Sequence, residues 1–398
     1  MQRRIGTVSR GLRAPIVKEG DDLRKIVVDT LMECVNAGDI QIGRKDVLAI
    51  TESILARSEK NYATTDQLAQ DVRNKLGGET VGVVFPILSR NRFAICLRGI
   101  AKGCKKVVLM LSYPSDEVGN HLLDIDKLDE KGIDPYKDVL TQEEFEGMFG
   151  KSKHTFTDVD YVNYYKGLIE EEGAEAQIIF ANHPAVILDY TDKVLCADIH
   201  TRKRTKRLIK AANPEATVLG MDDLMTAPVD GSGCNPDYGI LGSNKATEDT
   251  IKLFPVNCKE FVDGVQADIK ALTGKTIEVM VYGDGAFKDP VGKIWELADP
   301  VVSPGYTDGL MGTPNELKLK YLADNQFADL RGDELKDAMI QAIKEKDADL
   351  KGTMATEGTT PRQLTDLLGS LCDLTSGSGD KGTPFVYIQG YFDNYTDD

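Results

Sequence analysis

Short, dense apolar runs separated by helix-patterned stretches constrain this chain more than any other feature. DVLAI, TVGVVFPIL, KKVVLMLSYP, AEAQIIFAN, ATVLG and TIEVMVYG recur along it, with the β-branched and aliphatic composition of buried strands. Between them, DDLRKIVVDTLMECVNAG carries apolar residues at helical spacing, opens on Asp21 and Asp22 as caps and stops near Gly38. KEFVDGVQADIKALTG has the same character and stops at Gly274. NELKLKYLADNQF, DELKDAMIQAIKEK and TPRQLTDLLGSLCDL read as later helices, ahead of the terminal apolar run PFVYIQGYF. Alternation of this kind predicts an α/β fold of mixed α+β type.

The polar stretch 115–160, which includes DIDKLDEKGIDPYKDVLTQEEFEG, breaks the alternation. It reads as an inserted excursion of turns and a short helix, a lid or an added subdomain. The expected organisation is an N-terminal α/β segment over 1–114, the insertion over 115–160, and a mixed α/β region over 161–398 packed with the first. No repeat period and no long linker separates these parts.

A net charge of −16 argues against a general nucleic-acid surface. The opening MQRRIGTVSRGL lacks the apolar stretch of a secretory signal or membrane anchor, and seven dispersed cysteines form no CxxC pair. A reducing cytoplasm, with neither membrane nor nucleic acid as partner, is the expected setting. None of the four histidines completes HExxH, although His183 sits at a turn after an apolar run, where it either serves structure or meets substrate. Arg90, Arg92 and Arg98 lie either on a solvated surface or with one of them against a carboxylate or phosphate. The basic run Arg202, Lys203, Arg204, Lys206 and Arg207 reads first as a solvated helix face and second as an anion contact.

Candidate chemistry lies in loops. Thr51 and Ser53 stand where a strand passes into a helix, as caps or beside a bound cofactor. VDGSGCNPDYGILGSN holds Asp230, Ser232, Asn235, Asp237, Ser243 and Asn244, whose oxygens suit either a hydrogen-bonded turn or a hard cation. It lacks the spacing of a Walker A loop, an EF-hand or GxGxxG. In YGDGAFKDP, Asp284 follows a predicted strand. Mg2+ or Mn2+ held by Asp284 and an acid of the earlier loop, Asp237 or Asp230, would bridge phosphate oxygens. Lys288 would neutralise charge on a transferred phosphoryl group, select an acidic substrate or, like Asp289, belong to a turn or surface pair. Asp308, in SPGYTDGLMGTPNE, is either a ligand-facing carboxylate or part of a capped turn.

Taken in order, RGLRAPIVKEGDDL, KDVLAITESILARSEK, ATEDTIKLFP, LTGKTIEVMVYGDGAFKDP and TPRQLTDLLGSLCDL resemble the coenzyme F420-0:L-glutamate ligases, also called F420-0:gamma-glutamyl ligases. The resemblance implies that family's architecture of mixed sheets and flanking helices, here enlarged by the polar insertion, and a homodimer. It implies GTP as co-substrate and a divalent metal, used to join glutamate to a phospholactate-containing deazaflavin precursor through an acyl phosphate. It places Asp284 in the metal pocket, with Gly285 where a hydroxyl is usual. Ser243 and Asn244 match the end of the family's earlier loop, but Leu241 stands at its acidic position, so Asp237 would substitute only along a different loop path. A metal-dependent phosphatase or phosphoryl-transfer enzyme, or an inactive ligand-binding homologue, are the alternatives.

Overall fold

The computed structural model describes residues 5–154, 157–283, 286–288, 295–297, 302–357, 359, 362–376 and 380–396. Among them the strands β1 (Val8–Leu12), β2 (Val47–Thr51), β12 (Glu278–Gly283), β15 (Val302–Tyr306) and β16 (Phe385–Gln389) build a five-stranded sheet in the order β1-β16-β2-β12-β15. The pair β2 and β12 is parallel and the other neighbours are antiparallel.

Alternation along the central strands fills both faces, as a period of two dictates. Leu48, Ile50, Val279 and Val281 pack with Val27 and Leu31 of helix Leu23–Asn36 and with Val262 and Val265 of helix Cys258–Thr273. Val47, Ala49, Met280 and Tyr282 pack on the other side with Leu368 and Cys372 of helix Leu364–Thr375. Asp22 caps the first helix by accepting from the Lys25 amide, and Gly274 ends the second in the left-handed conformation that lacks a Cβ penalty.

A second, six-stranded sheet runs β6-β7-β5-β4-β8-β9, from β4 (Thr80–Val84), β5 (Lys106–Leu111), β6 (Leu140–Thr141), β7 (Glu175–Phe180), β8 (Lys193–Cys196) and β9 (Thr217–Gly220). All but β6 are parallel. The chain starts at the central β4, moves outward through β5 and β7, and then crosses to β8 and β9 on the other side, which is a doubly wound arrangement. Helices Thr65–Leu76, Phe93–Lys102 and Tyr161–Glu171 contribute to the core on one face, and Ile187 and Ile209 cover the other.

The described residues of the 115–160 stretch contribute to packing against this second sheet. Within them β6 extends its edge, and Phe145 of helix Gln142–Phe149 stacks on Phe180 with ring centroids 4.0 Å apart. Leu122, Leu123 and Leu128 join the same core.

A small antiparallel sheet of β10 (Asn244–Lys245), β11 (Thr250–Lys252) and β3 (Tyr62–Thr64) ties these parts together. The Lys245 amide donates to the Asn91 carbonyl over 2.7 Å, joining it to the loop after β4. The backbones of β13 (Ala286–Lys288) and β14 (Trp295–Leu297) pair antiparallel. Among the described residues no helix is long and apolar enough to cross a membrane.

Candidate active site

The parallel register of β2 and β12 sets Thr51 beside Tyr282, so both strands end at the same place. From Thr51 the chain turns directly into helix Glu52–Ser58, and its first turn carries Glu52 and Ser53. Thr51 occupies the N-cap position in extended conformation, but its side chain makes no cap hydrogen bond. Across from this turn lies Lys252, at the end of β11.

Glu52 and Lys252 are each 7% exposed, a level reached by few charged side chains without a partner. The Lys252 Nζ stands 3.4 Å from both Glu52 carboxylate oxygens and donates a shorter bond, 2.7 Å, to Ser53 Oγ. Arg92, immediately before helix Phe93–Lys102, is near enough for its charge to act on Glu52 and Lys252, and Asp373 acts in turn on Arg92. Burial raises the Glu52 carboxyl above its ordinary value, against the pull of Lys252 and Arg92. Burial likewise lowers Lys252 and Arg92, against Glu52.

Gly283 completes this corner. A Cβ there would lie 2.6 Å from Glu52 Cγ, so only glycine lets the end of β12 rest against that side chain. Asp284 and Asp289 lie outside the described residues. For Lys288 the description extends to its backbone pairing with Trp295.

The glycine-rich loop reaches the same corner through its end. Asn244 pairs with Lys252 in the ladder, and its side chain donates to the Gly242 carbonyl over 3.4 Å. Ser243 is buried, donating to the Ile240 carbonyl over 2.7 Å and lying 3.3 Å from Cys96 Sγ. The loop is sewn down by Asn61, whose amide donates to the Cys234 and Phe254 carbonyls, and by Asn235, whose amide donates to those of Phe254 and Pro255.

The two loop acids lie on the exposed outer part of the loop. Asp237 donates its backbone N–H to Asn235 Oδ1, and the Asp230 carbonyl accepts from Gln67. Asp308 is exposed and pairs with Lys259 at 3.0 Å. It follows Thr307, whose amide donates to Val279, which puts it at the start of β12, away from Gly283. Among the described residues no group of three or more His, Cys, Asp or Glu side chains is placed to hold a metal ion.

Of the three arginines singled out in sequence, Arg92 stands half-buried near enough for its charge to act on Glu52 and Lys252, while Arg98 pairs with Glu171 and Glu172. The basic helix Arg202–Ala212 is partly neutralised by Arg202 with Asp222 and Lys206 with Asp223. His183 caps a short turn by accepting from the Ala185 amide. Glu52 and Lys252 were not apparent from the sequence: an acid in a first helical turn and a lysine in ATEDTIKLFP both look like ordinary surface residues.

The arrangement is a buried, mixed-charge corner at the carboxyl ends of two parallel strands, where open α/β sheets commonly bind ligands. It can receive an anion beside its cations and a cation beside its carboxylate. No curated protein matches the chain. The family model described as F420-0:Gamma-glutamyl ligase matches residues 11–390, nearly the whole length. With that span and a mixed α/β architecture behind it, the chain belongs to the F420-0:gamma-glutamyl ligase family of amide-forming ligases.

Proposed function

We propose that this chain joins L-glutamate to the carboxylate of a small molecule, a deazaflavin precursor of coenzyme F420, with GTP as the phosphoryl donor. The observation that carries this reading is the corner beside the end of β12 where the buried pair Glu52 and Lys252 meets exposed Ser53 and half-buried Arg92. A substrate carboxylate would attack the terminal phosphate of GTP, and the resulting acyl phosphate would yield the amide to the amine of glutamate. Both steps place anionic oxygens together, and fixed cations in a water-poor site stabilise such charge strongly. Lys252 and Arg92 are the described cations suited to that task.

Thr51, Ser53, Ser243 and Asn244 are proposed to line the nucleotide side, since Ser53 touches Lys252 and Asn244 lies across the ladder from it. Mg2+ or Mn2+ would share the phosphate charge. Asp284, with Asp237 or Asp230, is the proposed holder, on the strength of the family resemblance. Lys288 and Asp308 are retained as proposed catalytic groups from the sequence, although Asp308 stands at the far end of β12. A cytoplasmic homodimer completes the reading.

The test is a product assay with GTP, Mg2+ or Mn2+, L-glutamate and a deazaflavin carrying a phospholactyl carboxylate. The expected result is phosphate release matched by a product heavier by one glutamyl residue. Phosphate release without a glutamylated product would favour the phosphatase alternative and overturn the ligase reading.

A further inference from the structure

Amide formation from an acyl phosphate poses a problem that the cations leave unsolved. The amino group of glutamate arrives protonated, and an ammonium has no lone pair with which to attack. A base is needed beside the cations, close to where the phosphate is held.

Glu52 has the placement and the spare capacity for that role. An ionised carboxylate offers about four acceptor positions. Among the described residues its side chain makes only the two 3.4 Å contacts to Lys252. Those contacts are long and equal, whereas the short bond of Lys252 goes to Ser53. Glu52 is therefore a buried acceptor that already faces an ammonium without being saturated by it. Asp46 and Asp116, also buried acids, are fully engaged: Asp46 accepts from Gly43, Tyr387 and Gly390, and Asp116 from Leu88, Val118 and Asn120. Gly283 lets the end of β12 lie against Glu52, since a Cβ there would come within 2.6 Å of Glu52 Cγ. Burial also strengthens it as a base by raising its carboxyl above the ordinary value.

We propose that Glu52 receives the ammonium group of the incoming glutamate and removes the proton that frees its lone pair. The proposal rests on the ligase reading. In the step, the ammonium gives one proton to a Glu52 carboxylate oxygen. The nitrogen lone pair forms the C–N bond, the C–O bond to phosphate breaks, and phosphate leaves with that electron pair. The second nitrogen proton departs with the phosphate, leaving a neutral amide.

Hydroxylamine separates this step from the one before it, because it is a largely unprotonated nucleophile near neutral pH and traps acyl phosphates as hydroxamates without a base. Purified full-length enzyme is given GTP, Mg2+, the deazaflavin carboxylate and either glutamate or hydroxylamine. The wild type is expected to form both products. E52Q is expected to lose about 100-fold or more in glutamylation, a much larger loss than it shows in hydroxamate formation. Glutamylation by E52Q at the wild-type rate, or equal loss of both products in folded enzyme, overturns the assignment. Should E52Q fail to fold, E52D carries the same comparison: a selective loss of glutamylation supports the role, and parallel loss or no loss overturns it. Absence of hydroxamate and of glutamylated product from the wild type overturns the ligase reading, and this assignment with it.

Discussion

Replacing Lys252 by methionine would expose the energetics of the buried corner most directly. The substitution keeps the volume of the stem but removes the only side chain among the described residues in hydrogen-bond contact with the Glu52 carboxylate, which is 7% exposed. Removing one partner of a buried ion pair costs about 3–5 kcal/mol, because the other charge is left in a medium that solvates it poorly. Arg92 still acts on Glu52, so the lower end, about 3 kcal/mol, is the expected loss near pH 8. The pH dependence has a definite sign. Burial already raises the Glu52 carboxyl, and Lys252 is the first of the opposing influences, so K252M raises it further. A carboxyl raised in the folded state binds its proton more tightly there than in the unfolded chain. Its contribution is present below the unfolded value and lost as pH rises through the folded one. The cost of K252M should therefore shrink as pH falls from about 8 toward about 5. Urea unfolding followed by circular dichroism at both pH values, on wild type, K252M and the double variant E52Q/K252M, measures this. The double variant should recover most of the loss, since neither buried charge then remains. A cost that is constant with pH or grows on acidification, or a double variant no more stable than K252M, would refute the reasoning.

Gly283→Ala forces a Cβ to within 2.6 Å of Glu52 Cγ, and the overpacking should cost about 1–3 kcal/mol in urea unfolding together with a loss of glutamylation. Asp116→Ala removes the acceptor of the Leu88, Val118 and Asn120 amides, and about 1–3 kcal/mol or more should be lost in the same assay. Thr64→Ala breaks the capping box that Thr64 and Gln67 form at helix Thr65–Leu76, costing about 1 kcal/mol with catalytic rates unchanged. Arg92→Met should raise the KM for GTP about tenfold or more if its charge faces phosphate, and an unchanged KM would remove Arg92 from that role.

Local structure was legible where near neighbours decide it. Helix Leu23–Asn36 begins at Asp22 and helix Cys258–Thr273 stops at Gly274, as side-chain capping and glycine conformation dictate. The runs TVGVVFPIL, KKVVLMLSYP and TIEVMVYG hold β4, β5 and β12, because their apolar composition suits strands buried on both faces. The four-residue strand β8, Lys193–Cys196, escaped notice, since so short a run has no period of its own and is stabilised by β4 and β9 alongside it.

What the sequence by itself determined is therefore the α/β character, the helix ends, the reactive residue types and, through the order of its motifs, a family resemblance that the match over residues 11–390 bears out. Tertiary structure alone decided which of those residues meet. Arg92 and Arg98 are the same residue six positions apart, yet one stands where its charge acts on Glu52 and Lys252 and the other pairs with Glu171 and Glu172. Glu52 and Lys252 come together because β2 finds its parallel partner in β12 and β11 finds β3, pairings that bridge some 200 residues of chain. Capping and hydrophobic periodicity act over a turn or a strand, whereas charge burial depends on which distant surfaces the whole fold presses together.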